Sequence, residues 1–168
     1  MRSCLALITG LAIAACGLAA VPNPAAAQTA APAILTVTGH AAGGAPASMQ
    51  FDRAAIERLP QVEIVTSTPW SDKPARFEGP RLRDVLAAAG VKGQTLSAAA
   101  LDDYKIQLPV ADAEKYDVLV AVKRDGGYMP VRDKGPLWII YPIDQHPELH
   151  TPETRAKMIW QLKSIAVD

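Results

Sequence analysis

Apolar and polar positions along this chain change period every few residues, which predicts many short elements rather than a few long ones. Ile34-Leu35-Thr36-Val37-Thr38 is β-rich and ends at Gly39, so it reads as a first strand. Beyond a small-residue loop from Ala41 to Ser48, Met49-Gln50-Phe51 reads as a short partner strand. Asp52 is placed to cap a helix from Arg53 to Leu59, with Ile56 and Leu59 inward and Phe51 stapled onto Ile56. Pro60 ends that helix. Val62 to Thr68 is β-branched at nearly every second position and is the clearest strand, stopped by Pro69. Arg76-Phe77-Glu78 predicts a short strand. Pro80 then stands at the first position of a helix whose Leu82, Val85, Leu86 and Ala89 share one face, and Gly90 closes it.

The second half repeats this texture. Thr95 to Ala100 predicts a strand, and Tyr104-Lys105-Ile106-Gln107-Leu108 alternates as a half-buried strand does. Ala111 to Tyr116 has room for one helical turn. Val118 to Val122 and Leu137 to Tyr141 are continuous apolar runs, expected as buried strands. Asp125-Gly126-Gly127 is a turn signal. Asp144 to Glu153 reads as a polar loop. Gln161 to Val167 reads as a last strand, with Leu162, Ser164 and Ala166 on one side and Ile165 and Val167 on the other. Short strands with two or three short helices give an α+β domain on mixed β-sheet.

The first segment changes the picture of the whole. Met1-Arg2, an apolar run from Leu5 to Val21, Pro22, and small residues at Ala25 and Ala27 follow the order of a secretory signal peptide, cut between Ala27 and Gln28. Residues 1–27 are therefore expected to be removed, 28–33 to form a flexible tail and 34–168 to form the domain. Ile13-Ala14-Ala15-Cys16 leaves lipoprotein processing at Cys16 as the minor alternative. Cutting 27 of the 168 residues leaves 141, enough for one core, and no transmembrane segment is expected after the cut. Losing Arg2 leaves 16 basic against 17 acidic side chains, so no basic field gathers nucleic acid. Both cysteines, Cys4 and Cys16, lie in the first segment. The processed domain has no thiol, which excludes a disulfide, a zinc–thiolate site and a nucleophilic cysteine.

Few side-chain groups suggest chemistry. Asp144, His146, Glu148 and His150 have metal-ligand types, but Pro147 and Pro152 argue against the helix that would align them, and a solvated loop is the plainer reading. Asp102-Asp103 are adjacent carboxylates in a turn. Neither Gly43-Gly44 nor Gly126-Gly127 has the spacing of a phosphate loop. Arg81, Arg83, Lys123, Arg124, Arg132 and Lys134 would face an anionic small molecule if the fold gathered them; the alternative is scattered surface charge.

The order of motifs is more informative than any one of them. Pro69-Trp70 is followed by Phe77-Glu78-Gly79-Pro80-Arg81-Leu82, Asp103-Tyr104, Val118-Leu119-Val120-Ala121, Asp125-Gly126-Gly127-Tyr128-Met129-Pro130, Lys134-Gly135-Pro136-Leu137 and Tyr141-Pro142. This series resembles the molybdopterin-binding catalytic domain of the sulfite oxidase and sulfoxide reductase superfamily, from about residue 34 to 167. The resemblance implies that superfamily's α+β fold. It also implies a cysteine shortly before the tryptophan that binds molybdenum. Thr66 stands at that position, four residues before Trp70, with Ser67 or Thr68 as alternatives if the loop slips. A hydroxyl is a poor substitute for a soft thiolate. Where members often carry arginine after Gly-x-Pro-Leu, this chain has Trp138. The chain is also short for the family.

These departures lead to an expectation of a periplasmic module with a degenerate molybdopterin-binding fold. It would bind a small anionic ligand or a periplasmic or membrane protein partner, with no cofactor, no metal and no catalytic residue. Its pocket is expected to be lined by Thr66, Ser67, Trp70, Asp103, Tyr104 and Trp138, the hydroxyls donating hydrogen bonds and the indoles forming flat walls. Two other readings stay open: a molybdopterin-dependent oxidoreductase that holds its cofactor without a protein thiolate, and an accessory or sensory subunit of a membrane-bound partner.

Overall fold

The computed structural model describes residues 31–168; the expected signal peptide, Cys16, and the start of the tail lie outside them. In chain order the elements are β1 (Leu35–His40), β2 (Pro46–Phe51), α1 (Arg53–Arg58), β3 (Gln61–Thr68), β4 (Ser71–Pro80), α2 (Leu82–Ala89), β5 (Thr95–Ala100), β6 (Lys105–Pro109), α3 (Val110–Lys115), β7 (Leu119–Ala121), β8 (Lys123–Arg124), β9 (Gly127–Tyr128), β10 (Trp138–Ile140), α4 (Pro152–Lys157) and β11 (Leu162–Val167). Three sheets result, ordered β2-β1-β11-β5-β6, β3-β4-β8-β9 and β7-β10. β1 and β11 pair in parallel and the other neighbours are antiparallel. The fold is α+β on mixed sheet. No described helix is long and apolar enough to cross a membrane.

Local chemistry explains most of these elements. The Asp52 carboxylate accepts from the Ala55 N–H at 2.7 Å and so starts α1, whose Ile56 is buried beside Phe51. α2 buries Leu82, Val85, Leu86 and Ala89, the 3.6-residue stripe read from the sequence. Asp125 and Gly126 both have positive φ, 51° and 81°, the geometry of a two-residue turn that joins twisted strands β8 and β9. β7 and β10 are apolar at every position because both are enclosed.

Four elements differ from the sequence reading. Arg76 to Glu78 is the middle of a ten-residue strand that folds back on β3 through Pro69-Trp70. Pro80 ends that strand, opposite Gln61, instead of opening α2; a φ near −65° suits either place. Arg81 takes the cap position, and the Leu82 N–H donates to the Val118 carbonyl at 2.7 Å, so a distant backbone group starts the helix. Pro152 and Glu153, at the end of the expected polar loop, open α4, which runs on to Lys157. Thr151 caps it, accepting from the Thr154 N–H, with Pro152 at the first position. β11 has a register shift between Leu162 and Ser164, so Leu162 is buried together with Ile165 and Val167 rather than facing the other way.

The core joins α1 and α2 to the sheets, and its largest enclosed side chains are Trp138, Tyr141, Phe51 and Phe77. β10 is pinned on two sides. It pairs with β7, and the Ile139 N–H donates to the Ile159 carbonyl at 2.9 Å. That second bond holds the segment after α4 against the core, where it helps to form the site.

Candidate functional site

The chain's three tryptophans meet. Trp70, at the β3–β4 turn, lies edge-on to Trp160 with ring centres 4.9 Å apart and 5.9 Å from Trp138. Trp138 packs edge-on against Phe77 at 5.4 Å. The Lys134 ammonium sits 5.4 and 5.5 Å from the rings of Trp138 and Trp160, and the Arg155 guanidinium lies 5.4 Å from that of Trp70. Such contacts favour a fixed ring orientation.

A hollow of about 410 Å³ opens beside this cluster, walled by Trp70, Tyr104, Met158, Ile159 and Trp160, with Asp102 and Arg155 also lining it. A second hollow of about 380 Å³ adjoins it, lined by Ser67, Thr68, His150, Thr151 and Ile143 among others. Pro152, Arg155 and Met158 line both, so the two form one cleft between the β3–β4 turn and α4. Each hollow by itself is at the lower end of small-molecule sites.

The six expected pocket residues divide. Trp70 and Tyr104 line the first hollow and Ser67 the second. Trp138 does not wall the cleft: it is 1% exposed, and its indole N–H donates to the Met158 carbonyl at 3.0 Å. It is the floor beneath Trp70 and Trp160. Thr66 is fully buried, and its hydroxyl oxygen accepts from the Asp144 N–H at 3.3 Å. Asp103 points elsewhere. Its φ of 67° in the β5–β6 turn carries its carboxylate to Lys163, and that ammonium holds its pKa below the usual carboxylate value. The sequence reading missed Arg155, Met158 and Trp160 as lining residues. The cap signature Thr151-Pro152-Glu153 was the available signal for the helix that carries Arg155 and ends at Met158.

The Thr66 position bears on the expected cofactor. Three hydroxyl residues stand where the resemblance places a metal-binding thiolate. The Thr66 oxygen is engaged by Asp144. The Ser67 N–H and hydroxyl donate to the Asp144 carboxylate at 2.7 and 3.0 Å. The Thr68 hydroxyl is buried without a partner among the described residues. Three neutral hydroxyls, two of them engaged by Asp144, do not fit a soft thiolate-ligated metal. His146 and His150 do not supply a substitute. His146 lies edge-on to Tyr116 and near Glu148, while His150 faces the second hollow. Among the described residues no group of three or more His, Cys, Asp or Glu is arranged to hold a metal ion.

The basic residues are not gathered either. Arg81 and Arg83 share Asp117, Lys123 approaches Glu78, and Arg124 approaches Asp125. Lys134 stacks on the tryptophans. Five of the six are thus paired with carboxylates or packed on rings within the fold.

A polar latch holds α4 in place. The Asp112 carboxylate of α3 accepts from the Lys157 ammonium at 2.9 Å and from the Tyr141 hydroxyl at 3.0 Å. Tyr141 is fully enclosed, and burial, then the neighbouring Asp112 charge, pushes its pKa far above the usual phenol value. Asp112→Ala would leave a buried hydroxyl and a half-buried ammonium unpaired. The expected loss is about 2–3 kcal/mol of folding stability, read from denaturant midpoints. A loss under about 0.5 kcal/mol, usual for surface changes, would show that the latch is not formed.

Residues 36–144, from β1 to the segment after β10, match the model of a family described as the oxidoreductase molybdopterin binding domain. The matched span is well over half of the chain. It includes Thr66, Trp70, Tyr104 and Trp138, and it stops before α4 and Trp160, so the far wall of the cleft lies beyond it. No curated protein matches the chain.

Proposed function

The chain belongs to the oxidoreductase molybdopterin binding domain family, and from that membership we propose that it is an exported member working by binding a small ligand rather than by molybdenum redox chemistry. The observation that supports this most directly is Thr66. The residue that the resemblance sets at the family's thiolate position, with Ser67 and Thr68 as alternatives, is a fully buried hydroxyl that already accepts a backbone N–H. The adjoining cleft offers an alternative use of the same face, with fixed aromatic walls and few polar groups, the usual make-up of a small-molecule site.

Export is part of the proposal. It rests on the apolar run from Leu5 to Val21 and on Ala25 and Ala27 before Gln28. The domain then occupies residues 34–168 behind a short tail, in the periplasm.

One specific observation favours a second reading. The family match itself supports a molybdopterin-dependent oxidoreductase with an unusual ligand set. A single experiment separates the two. The full-length gene is expressed in a bacterium that makes molybdenum cofactor, and the exported product is weighed and analysed for molybdenum and pterin fluorescence. The expected result is a mass beginning at Gln28 with neither at stoichiometric level. Stoichiometric molybdenum with pterin overturns the binding-module reading and makes Thr66 the first residue to replace.

A further inference from the structure

The two adjoining hollows differ in chemistry, and the difference points to a ligand class. The first is an aromatic slot. Trp70 and Trp160 stand nearly perpendicular, at 84°, and Tyr104 is half exposed beside them. Its one carboxylate, Asp102, is turned back on the chain and accepts from the Tyr104 N–H at 3.1 Å. The second hollow has no carboxylate in its lining. It has hydroxyl residues, His150, and Arg155 on the edge shared with the slot.

Two observations single out the shared edge. Arg155 is exposed and, among the described residues, forms no ion pair; its guanidinium lies over Trp70. Thr68 lines the second hollow at 5% exposure, and its buried hydroxyl has no hydrogen-bond partner among the described residues. Buried hydroxyls are nearly always partnered, so an unpartnered one lining a cleft marks a place for an outside acceptor. A guanidinium fixed on an aromatic face presents its remaining N–H groups to an anion in a planar fork.

We propose that the cleft takes a small aromatic acid, its flat body between Trp70, Tyr104 and Trp160 and its anionic group at Arg155 and the Thr68 hydroxyl. This rests on the reading of the cleft as a ligand site and adds the ligand's class to it. The slot accepts the ring system by stacking and burial. The guanidinium supplies charge-assisted hydrogen bonds that a neutral analogue of the same shape cannot use.

The test is calorimetric titration of the full chain with 2-naphthoate and with the neutral 2-naphthalenemethanol. The acid is expected to bind about tenfold more tightly, the equivalent of one charge-assisted contact. Arg155→Gln should erase that preference, bringing the acid's affinity down to that of the alcohol for the same variant, and Arg155→Lys should keep part of it. Thr68→Val should weaken the acid alone. Trp70→Ala should weaken both probes. Unfolding midpoints of each variant confirm that it is folded. If both probes bind equally, or the acid's advantage survives Arg155→Gln, the acid assignment is overturned while the cleft remains a ligand site. If neither probe binds, or Trp70→Ala changes nothing, the ligand-site reading falls as well.

Discussion

Trp138→Ala is expected to cost the domain about 4 kcal/mol, the size of effect seen when a large aromatic is removed from an enclosed site. The indole is 1% exposed and touches Phe77, Trp70 and Trp160. Its N–H donates to the Met158 carbonyl. Alanine would leave a cavity under the cleft and an unsatisfied carbonyl in the segment that follows α4. The surrounding rings cannot close the gap easily, because Trp138 sits on β10, whose backbone is held by β7 and by Ile159. A typical domain has about 5–15 kcal/mol in total, so this one change would remove a large part of its stability. Urea denaturation followed by far-UV circular dichroism measures the effect. Trp138→Phe keeps most of the ring and loses the N–H, so its loss should be clearly smaller. A Trp138→Ala protein as stable as the parent but defective only in ligand binding would return Trp138 to the cleft wall.

Gly79→Ala is expected to be at least as severe. A methyl group at this position would lie 2.1 Å from the Val120 carbonyl oxygen and 3.0 Å from the Ala121 Cα. Both neighbours are backbone, so neither can swing aside. β4 would have to move away from β7, straining the bond from the Val122 N–H to the Glu78 carbonyl and the one from Leu82 to Val118 that starts α2. Overpacking usually costs about 1–3 kcal/mol when side chains can adjust; here they cannot, and the loss should reach or exceed the upper end. Gly43→Ala is the control, since nothing lies within 4 Å of a methyl group there. Thermal unfolding of the two variants should differ widely. Equal tolerance would show that β4 and β7 do not approach as closely as this.

Both changes bear on how the family's motifs work. The stretch Phe77-Glu78-Gly79-Pro80 is among those that carry the resemblance. Its glycine allows two backbones to touch, and its phenylalanine packs on Trp138. These residues serve the fold. Keeping them is compatible with the proposed absence of a metal-binding thiolate, because a fold can outlast the chemistry it once supported.

Much of this architecture is legible from local signals. The Asp52 cap, the apolar stripe of α2, its Gly90 end, the Asp125-Gly126 turn and the buried runs at β7 and β10 each depend on neighbours a few residues away. Such patterns are set by backbone geometry and the period of side-chain burial, which a sequence displays directly. The absence of any thiol from residues 28–168 is equally plain, and composition by itself narrows the chemistry open to the domain.

The tertiary structure alone decided the rest. Trp70 and Trp138 look alike in sequence, yet one walls a cleft and the other is sealed beneath it, since a ring's exposure depends on what distant segments cover it. Tyr104 and Asp103 are adjacent, yet only the tyrosine reaches the cleft, because the positive φ of Asp103 turns its carboxylate toward Lys163 on another strand. Thr66 and Ser67 are expected from sequence as free hydroxyl donors, but Asp144, far along the chain, engages both. Arg155 joins Trp70 only because a bond from Ile139 to Ile159 and the Asp112–Lys157 pair dock the α4 segment beside the β3–β4 turn. Contacts across such sequence distances leave no periodicity to read. Local patterning set most of the elements, and composition left residues 28–168 without a cysteine; long-range packing determined which side chains share a surface.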